Sequence, residues 1–169
     1  MWLTEPLLTQ RLRLRAFTDG DRPAALRLRT DGEVRRYLGG PMSPDDAAAA
    51  LAQGPAGASW GVFAVADQHT DDVMGSVDLS RDRGELEVSR VFLPEYWGSG
   101  FAHEAVDAVI RWAFTQTAAP RIIAVTQTAN AASRKLATKL GMTPEATFEQ
   151  YGAKQIQFAL TRHAADRPT

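Results

Sequence analysis

One stretch decides the fold: Glu85-Leu86-Glu87-Val88-Ser89-Arg90-Val91-Phe92-Leu93-Pro94-Glu95-Tyr96-Trp97-Gly98-Ser99-Gly100-Phe101-Ala102-His103. Its first nine residues read as a strand, and a period of two puts Glu85, Glu87, Ser89 and Val91 on one face. Pro94 ends that strand because it has no N–H to give a ladder. Trp97-Gly98-Ser99-Gly100 then reads as a loop. Beyond it Ala102, Ala105, Val106, Val109, Ile110, Ala113 and Phe114 keep helical spacing over four turns.

Downstream, Ile122-Ile123-Ala124-Val125 is a continuous run, largely β-branched, of the kind that forms a buried strand. Thr128-Ala129-Asn130 opens a second helix, with Leu136, Ala137 and Leu140 inward and Gly141 as its stop. Strands around Ala146–Gln150 and Gln155–Leu160 close the chain as a hairpin. Upstream, Trp60–Ala66 alternates and is joined through the Asp71-Asp72 turn to a strand over Val73–Leu79; Asp82-Arg83-Gly84 leads into the decisive strand, which makes a meander of three. Arg11-Leu12-Arg13-Leu14-Arg15 alternates as a half-buried strand. Thr18-Asp19-Gly20-Asp21 and Pro23 start a short helix holding Leu26 and Leu28, and Ser43-Pro44-Asp45-Asp46 starts another. The expected class is α/β: a mixed sheet with a strand–glycine loop–helix crossover at its centre, in one domain over residues 1–169.

Composition narrows the function classes. With 44% hydrophobic and 23% charged residues, the 169-residue chain has the make-up of a globular domain. Lys+Arg is 19 and Asp+Glu is 20, so the basic surplus expected of a nucleic-acid binder is missing. The arginines are interleaved with acids and read as a solvated surface. Cys is 0, which removes thiolate nucleophiles and thiolate metal sites. His69, His103 and His163 have no ligand spacing, so no metal is expected. No run approaches the ~20 apolar residues of a membrane span, and Met1-Trp2-Leu3-Thr4-Glu5-Pro6 is no signal peptide. A cytoplasmic protein with no membrane partner is the expectation. Trp60, Phe63 and Trp112 sit at core spacing and read as packing.

The glycine loop carries the chemistry. Unpaired amides at a helix N-terminus, reinforced by the helix dipole, attract an anion such as phosphate. Gly98 and Gly100 permit close backbone approach and Ala102 is too small to block it, although a Gly-x-Gly turn alone also fits a plain tight turn. There is no Gly-Lys-Ser/Thr, so this is not a P-loop. A dinucleotide fingerprint would need a small residue where His103 stands and an acid about 20 residues on, where Thr126-Gln127-Thr128 stands instead.

The hexapeptide Trp97-Gly98-Ser99-Gly100-Phe101-Ala102 resembles the Gln/Arg-x-x-Gly-x-Gly/Ala motif of the GCN-five-related N-acetyltransferases, the GNAT superfamily. Trp97 departs from the general pattern but is similar to the branch of ribosomal-protein N-terminal acetyltransferases. Asn130-Ala131-Ala132-Ser133, Lys139-Leu140-Gly141-Met142 and the opening Leu8-Thr9-Gln10-Arg11-Leu12-Arg13-Leu14-Arg15 resemble that branch too, so the likeness spans nearly the whole chain. It implies a mixed, mostly antiparallel twisted sheet of about seven strands with about four helices. It also implies acetyl-CoA as co-substrate and direct transfer to an amine, without a metal.

Residue by residue, the resemblance implies that the amides of Gly98, Ser99, Gly100, Phe101, Ala102 and His103 hold the pyrophosphate. The backbone of Val91, Phe92 and Leu93 would pair with the pantetheine arm like an added strand, which leaves the Phe92 and Leu93 side chains free to be core. Glu87 stands where several relatives carry a catalytic Glu, and beside a partly desolvated cleft it would accept the amine's proton; an exposed strand charge is the plain alternative, and Glu85 the second candidate. Many relatives use a Tyr where Ala137 stands, and Ser133 is the substitute donor to the leaving thiolate, unless it is only a capping or surface hydroxyl. Asn130 fits a helix N-cap and, in relatives, also touches the cofactor. The acceptor is a small-molecule or peptide amine, read by segments Thr18–Ser59 and Phe148–Gln155, which carry no decodable signature. Self-association into a homodimer is left open. A CoA-binding sensor or regulatory module without turnover is the competing reading, because fold alone does not separate the two.

Overall fold

The computed structural model describes residues 3–52, 60–82 and 84–165. Met1 and Trp2 of the N-terminal reading, residues 53–59 of the acceptor segment and Arg83 of the expected turn lie outside the described residues.

The elements run β1 (Leu7–Leu8), β2 (Leu12–Arg15), α1 (Arg22–Thr30), α2 (Pro44–Ala52), β3 (Val62–Asp67), β4 (Val73–Asp82), β5 (Glu85–Phe92), α3 (Phe101–Gln116), β6 (Arg121–Gln127), α4 (Ala131–Lys139), β7 (Thr143–Gln150), β8 (Ala153–Thr161) and the short α5 (Arg162–Ala165). Among the described residues all strands join one sheet in the order β1-β2-β3-β4-β5-β6-β8-β7. Every neighbouring pair is antiparallel except β5–β6, so the sheet is mixed and mostly antiparallel as expected. It has eight strands rather than about seven. The addition is β1, whose two residues pair Leu7 with Leu14 and Leu8 with Arg13 and are too few to show a period.

Alternation on β3 sorts two apolar layers. Phe63 and Val65 face the larger core with Leu12, Leu14, Val77 and the α3 residues Val106, Val109 and Ile110. Ala64 and Ala66 face Phe17, Ala25 and Val73, a thinner layer bounded by Leu51. The ring of Phe63 meets Trp112 edge-on at 5.2 Å, worth ~0.5–1.5 kcal/mol beyond area burial. Trp60 corrects the packing expectation. It is 37% exposed, 6.4 Å from Trp112, with the Arg81 guanidinium over its ring, so it closes the edge of the core rather than filling it.

The parallel pair positions the site. Beyond Leu86↔Ile122 and Glu87↔Ile123 the β5–β6 ladder stops, while β5 stays bonded to β4 as far as Phe92. The remainder of β5 therefore presents one backbone edge to a cleft, with β6, α3 and α4 as further walls. Among the described residues no helix is long and apolar enough to cross a membrane.

Candidate active site

Pro94–Tyr96 form a single 3-10 turn after β5, and the Trp97 indole Nε1 then donates to the Phe92 carbonyl at 2.8 Å. That bond gives Trp97 a local reason to stand first in the glycine motif: it folds the loop back on the strand it left. Gly98 and Gly100 have φ of 74° and 82°, a left-handed conformation costly to any other residue, and Gly100 is the N-cap of α3 without a side-chain cap. No acceptor among the described residues takes the consecutive amides from Gly98 to His103. A Cβ on Gly98 would meet nothing within 4 Å, whereas one on Gly100 would sit 3.4 Å from Arg11 Nη2. An open row of unpaired amides at the start of a 16-residue helix fits a bound pyrophosphate.

A clamp that the sequence reading missed holds this row. Arg11 Nη1 donates to the Ser99 carbonyl at 2.9 Å, and its guanidinium carbon lies 4.3 Å from the centre of the Phe101 ring. Glu104, in the first turn of α3, accepts from Arg11 Nε (2.7 Å), the Arg11 amide (2.8 Å) and the Thr9 hydroxyl (2.6 Å). Burial pushes the Glu104 carboxyl up, but the bonds from Thr9 and Arg11 outweigh it and hold it below the usual range. His103 Nε2 lies 3.4 Å from the Lys139 carbonyl and so approaches the end of α4.

Val91, Phe92 and Leu93 lie at the open end of β5, where Val91 and Phe92 pair with β4 and two further backbone groups are engaged. The Leu93 N–H donates to the Met74 carbonyl at 2.9 Å, and the Phe92 carbonyl is taken by Trp97. The Phe92 and Leu93 side chains are buried, as core residues would be.

Glu87 is half-buried and lines the cleft. Opposite it on β4 is Ser80, with Asp78↔Ser89 and Ser76↔Val91 continuing the same face. Glu85 stands apart: Arg121 donates to both of its oxygens and also reaches Glu145 at 2.6 Å. Its hydrogen bonds with Arg121 hold the Glu85 carboxyl below the usual range, which corrects its candidacy as a base. Asp78 is a carboxylate the sequence reading passed over. Burial pushes it up, only partly offset by its hydrogen bond from Ser76 and the charge of Arg29.

On the opposite wall, Asn130 is the N-cap of α4, with Oδ1 accepting the Ser133 amide at 3.1 Å. The capping reading therefore belongs to Asn130 and not to the Ser133 hydroxyl. That hydroxyl, on a residue 5% exposed, accepts from Arg90 Nη2 at 2.7 Å. Arg90 departs from the expectation that the arginines form a solvated surface. Instead it is half-buried in the cleft wall, and burial pulls its pKa below the ordinary guanidinium value. Ala137, one turn after Ser133, is buried at the same wall.

The cleft encloses about 1690 Å³, more than the ~300–1,000 Å³ of a site for one drug-sized ligand. It has room for two substrates. Its lining also includes residues 33–39, where Gln127 Nε2 of β6 donates to the Tyr37 carbonyl at 3.1 Å, and Gln150 and Tyr151 at the β7–β8 turn.

Comparison with known proteins shows the family. The family model described as the acetyltransferase (GNAT) domain matches residues 11–143. The uncharacterized N-acetyltransferase YoaA of Bacillus subtilis is 32% identical over 158 residues, covering 86% of this chain and 88% of that protein. A GNAT-family acetyltransferase from Bacillus anthracis superposes with a TM-score of 0.83 at 23% identity, over 94% of this chain and 99% of the other. A Vibrio cholerae spermidine N-acetyltransferase, solved in complex with CoA and spermine, gives 0.76 at 19% identity over 93% and 99%. With the glycine-loop crossover, the opened strand pair and these matches together, the chain belongs to the GNAT family of N-acetyltransferases.

Proposed function

We propose that this chain, as one domain, uses acetyl-CoA to acetylate a primary amine directly, on a peptide N-terminus or a small molecule. The observation that carries the reading is the meeting of three features on one cleft: the unpaired amide row, Glu87 on β5 and Ser133 on α4.

Each group has a task in this scheme. The amides from Gly98 to His103 hold the pyrophosphate, with Arg11 and Glu104 fixing the loop. The open edge of β5 at Val91–Leu93 receives the pantetheine arm, and Asn130 borders it from α4. The bound thioester supplies an acyl carbon open to direct attack. Because an ammonium has no lone pair with which to attack, Glu87 accepts the amine's proton, directly or through one water. Ser133 donates a hydrogen bond to the sulfur as it departs. A hydroxyl is far too weak an acid to be ionised here, and a thiol of pKa about 8.5 leaves with modest help. A cytoplasmic setting belongs to the same proposal.

The test is thiol release from acetyl-CoA over a panel of amines: α-amino peptides, polyamines, aminoglycosides and amino acids. Turnover with at least one amine, reduced strongly in Glu87→Gln, is expected. Tight acetyl-CoA binding with no turnover across the panel would instead favour the sensor reading.

A further inference from the structure

On β5 the residues Leu86, Val88 and Phe92 are buried in the larger core, and alternation places Arg90 in the same row. A guanidinium in an apolar row is costly unless something answers its charge. Among the described residues no carboxylate lies within ion-pair distance of Arg90. Among the described residues, the one hydrogen bond of its side chain runs from Nη2 to Ser133 Oγ at 2.7 Å. Its other nitrogens are not among the sealed polar atoms, so they reach the cleft that Arg90 lines.

The direction of that bond has a consequence. A guanidinium only donates, so Ser133 Oγ must accept, and its own proton points elsewhere. Ser133 Oγ donates to no described protein group. Its amide is fixed independently by Asn130, so the helix start is set whatever the hydroxyl does. Around the same cleft Glu85 is held by Arg121, Glu87 lies on the opposite β5 face, and His103, Lys135 and Lys139 add cationic or neutral groups from α3 and α4.

We propose that Arg90 is a positioning residue for the leaving thiol: it fixes the Ser133 hydroxyl as a donor aimed into the cleft, where the hydrogen bond stabilises the sulfur as that atom becomes negative. The assignment rests on the reading of Ser133 given above. In the step concerned, the amine nitrogen bonds to the acyl carbon and the C–S bond breaks. Sulfur leaves with the bonding pair as a thiolate, and the proton lost by the amine goes to Glu87 or water. Ser133 keeps its proton and contributes only a hydrogen bond.

The experiment reads the thiol itself and needs no knowledge of the acceptor. CoA is bound to the full chain, binding is verified by calorimetry, and ultraviolet absorbance of the thiolate is followed against pH. In the wild-type protein the bound thiol should titrate ~1 unit or more below free CoA, the direction imposed by a donor fixed toward the charged form. Arg90→Gln should return it toward the free value with CoA still bound, Arg90→Lys should fall between, and Ser133→Ala should match Arg90→Gln. If Arg90 acts through Ser133, the double variant should show no further shift. An unshifted thiol in the wild type, or effects of the two substitutions that add independently, would overturn the proposal while leaving CoA binding intact. Failure of the wild type to bind CoA would overturn the acetyl-CoA reading and this assignment together. Should Arg90→Gln not fold, Ser133→Ala alone decides: no upward shift of the thiol refutes the arrangement.

Discussion

Arg11 and Glu104 join the start of β2 to the first turn of α3 through two hydrogen bonds, from the Arg11 Nε at 2.7 Å and its amide at 2.8 Å. The same arginine holds the Ser99 carbonyl, so the carboxylate fixes the side chain that fixes the loop. Arg11→Ala should weaken CoA binding ~5-fold by loosening a preorganised site, without abolishing the fold. Glu104→Gln should lower the melting temperature. Its carboxyl lies below the ordinary value in the folded state, so its contribution is present at neutral pH and lost as pH falls below ~4.3 toward the folded value. The stability gap between wild type and variant should therefore close in acid. A gap independent of pH would refute the linkage.

Gly100 combines φ of 82° with the N-cap of α3. Gly100→Val adds strain of ~1–3 kcal/mol and a side chain beside Arg11 and the amide row. Acetyl-CoA affinity should fall at least ~10-fold, or ~1.4 kcal/mol, in a folded variant. Calorimetry checks this, and unchanged affinity would contradict the cradle.

The two acids of β5 separate cleanly. Glu87→Gln should lower kcat by ~10²-fold with little change in acetyl-CoA affinity, and should alter the acidic limb of the pH–rate profile. Glu85→Gln should leave kcat within ~2-fold, because Arg121 already occupies both of its oxygens. Parallel kinetics of the two variants decide; an equal loss in both would remove Glu87's special role.

Ser133→Ala should lower kcat ~10-fold, about 1.4 kcal/mol in the transition state. Loss of the hydroxyl should thus cost less than loss of the base. Because Asn130 caps α4 through the Ser133 amide, helix stability should be retained. A folded variant with full activity would reduce Ser133 to an anchor for Arg90.

Asp78 carries the opposite linkage to Glu104. Burial raises its carboxyl above the ordinary value, so the folded state binds the extra proton and loses stability as pH climbs from ~3.9 through the raised value. Asp78→Asn keeps an oxygen for the Ser76 hydroxyl and removes the buried charge. Its melting temperature should exceed that of the wild type by a few degrees at neutral pH, with the advantage shrinking in acid. Thermal melts at two pH values test the sign.

Local pattern determined the βαβα crossover, the glycine loop, the helix starts at Pro23, Pro44 and Asn130, and the face shared by Glu87, Ser89 and Val91. Those features depend on neighbours within one or two turns, where period, capping and glycine conformation are legible. The sequence also carried the motifs that resemble the family. What it could not carry was partnership across the sheet. Arg11, Arg90 and Arg121 look alike as solvated charges. Only the tertiary structure made one a clamp on the glycine loop, one a partner of a buried serine and one the mask of Glu85. The same holds for the opening of β5 from β6, which registers in neither strand's composition. A guanidinium's role is set by which oxygens lie within about 3 Å of its fork, and those oxygens come from residues tens of positions away.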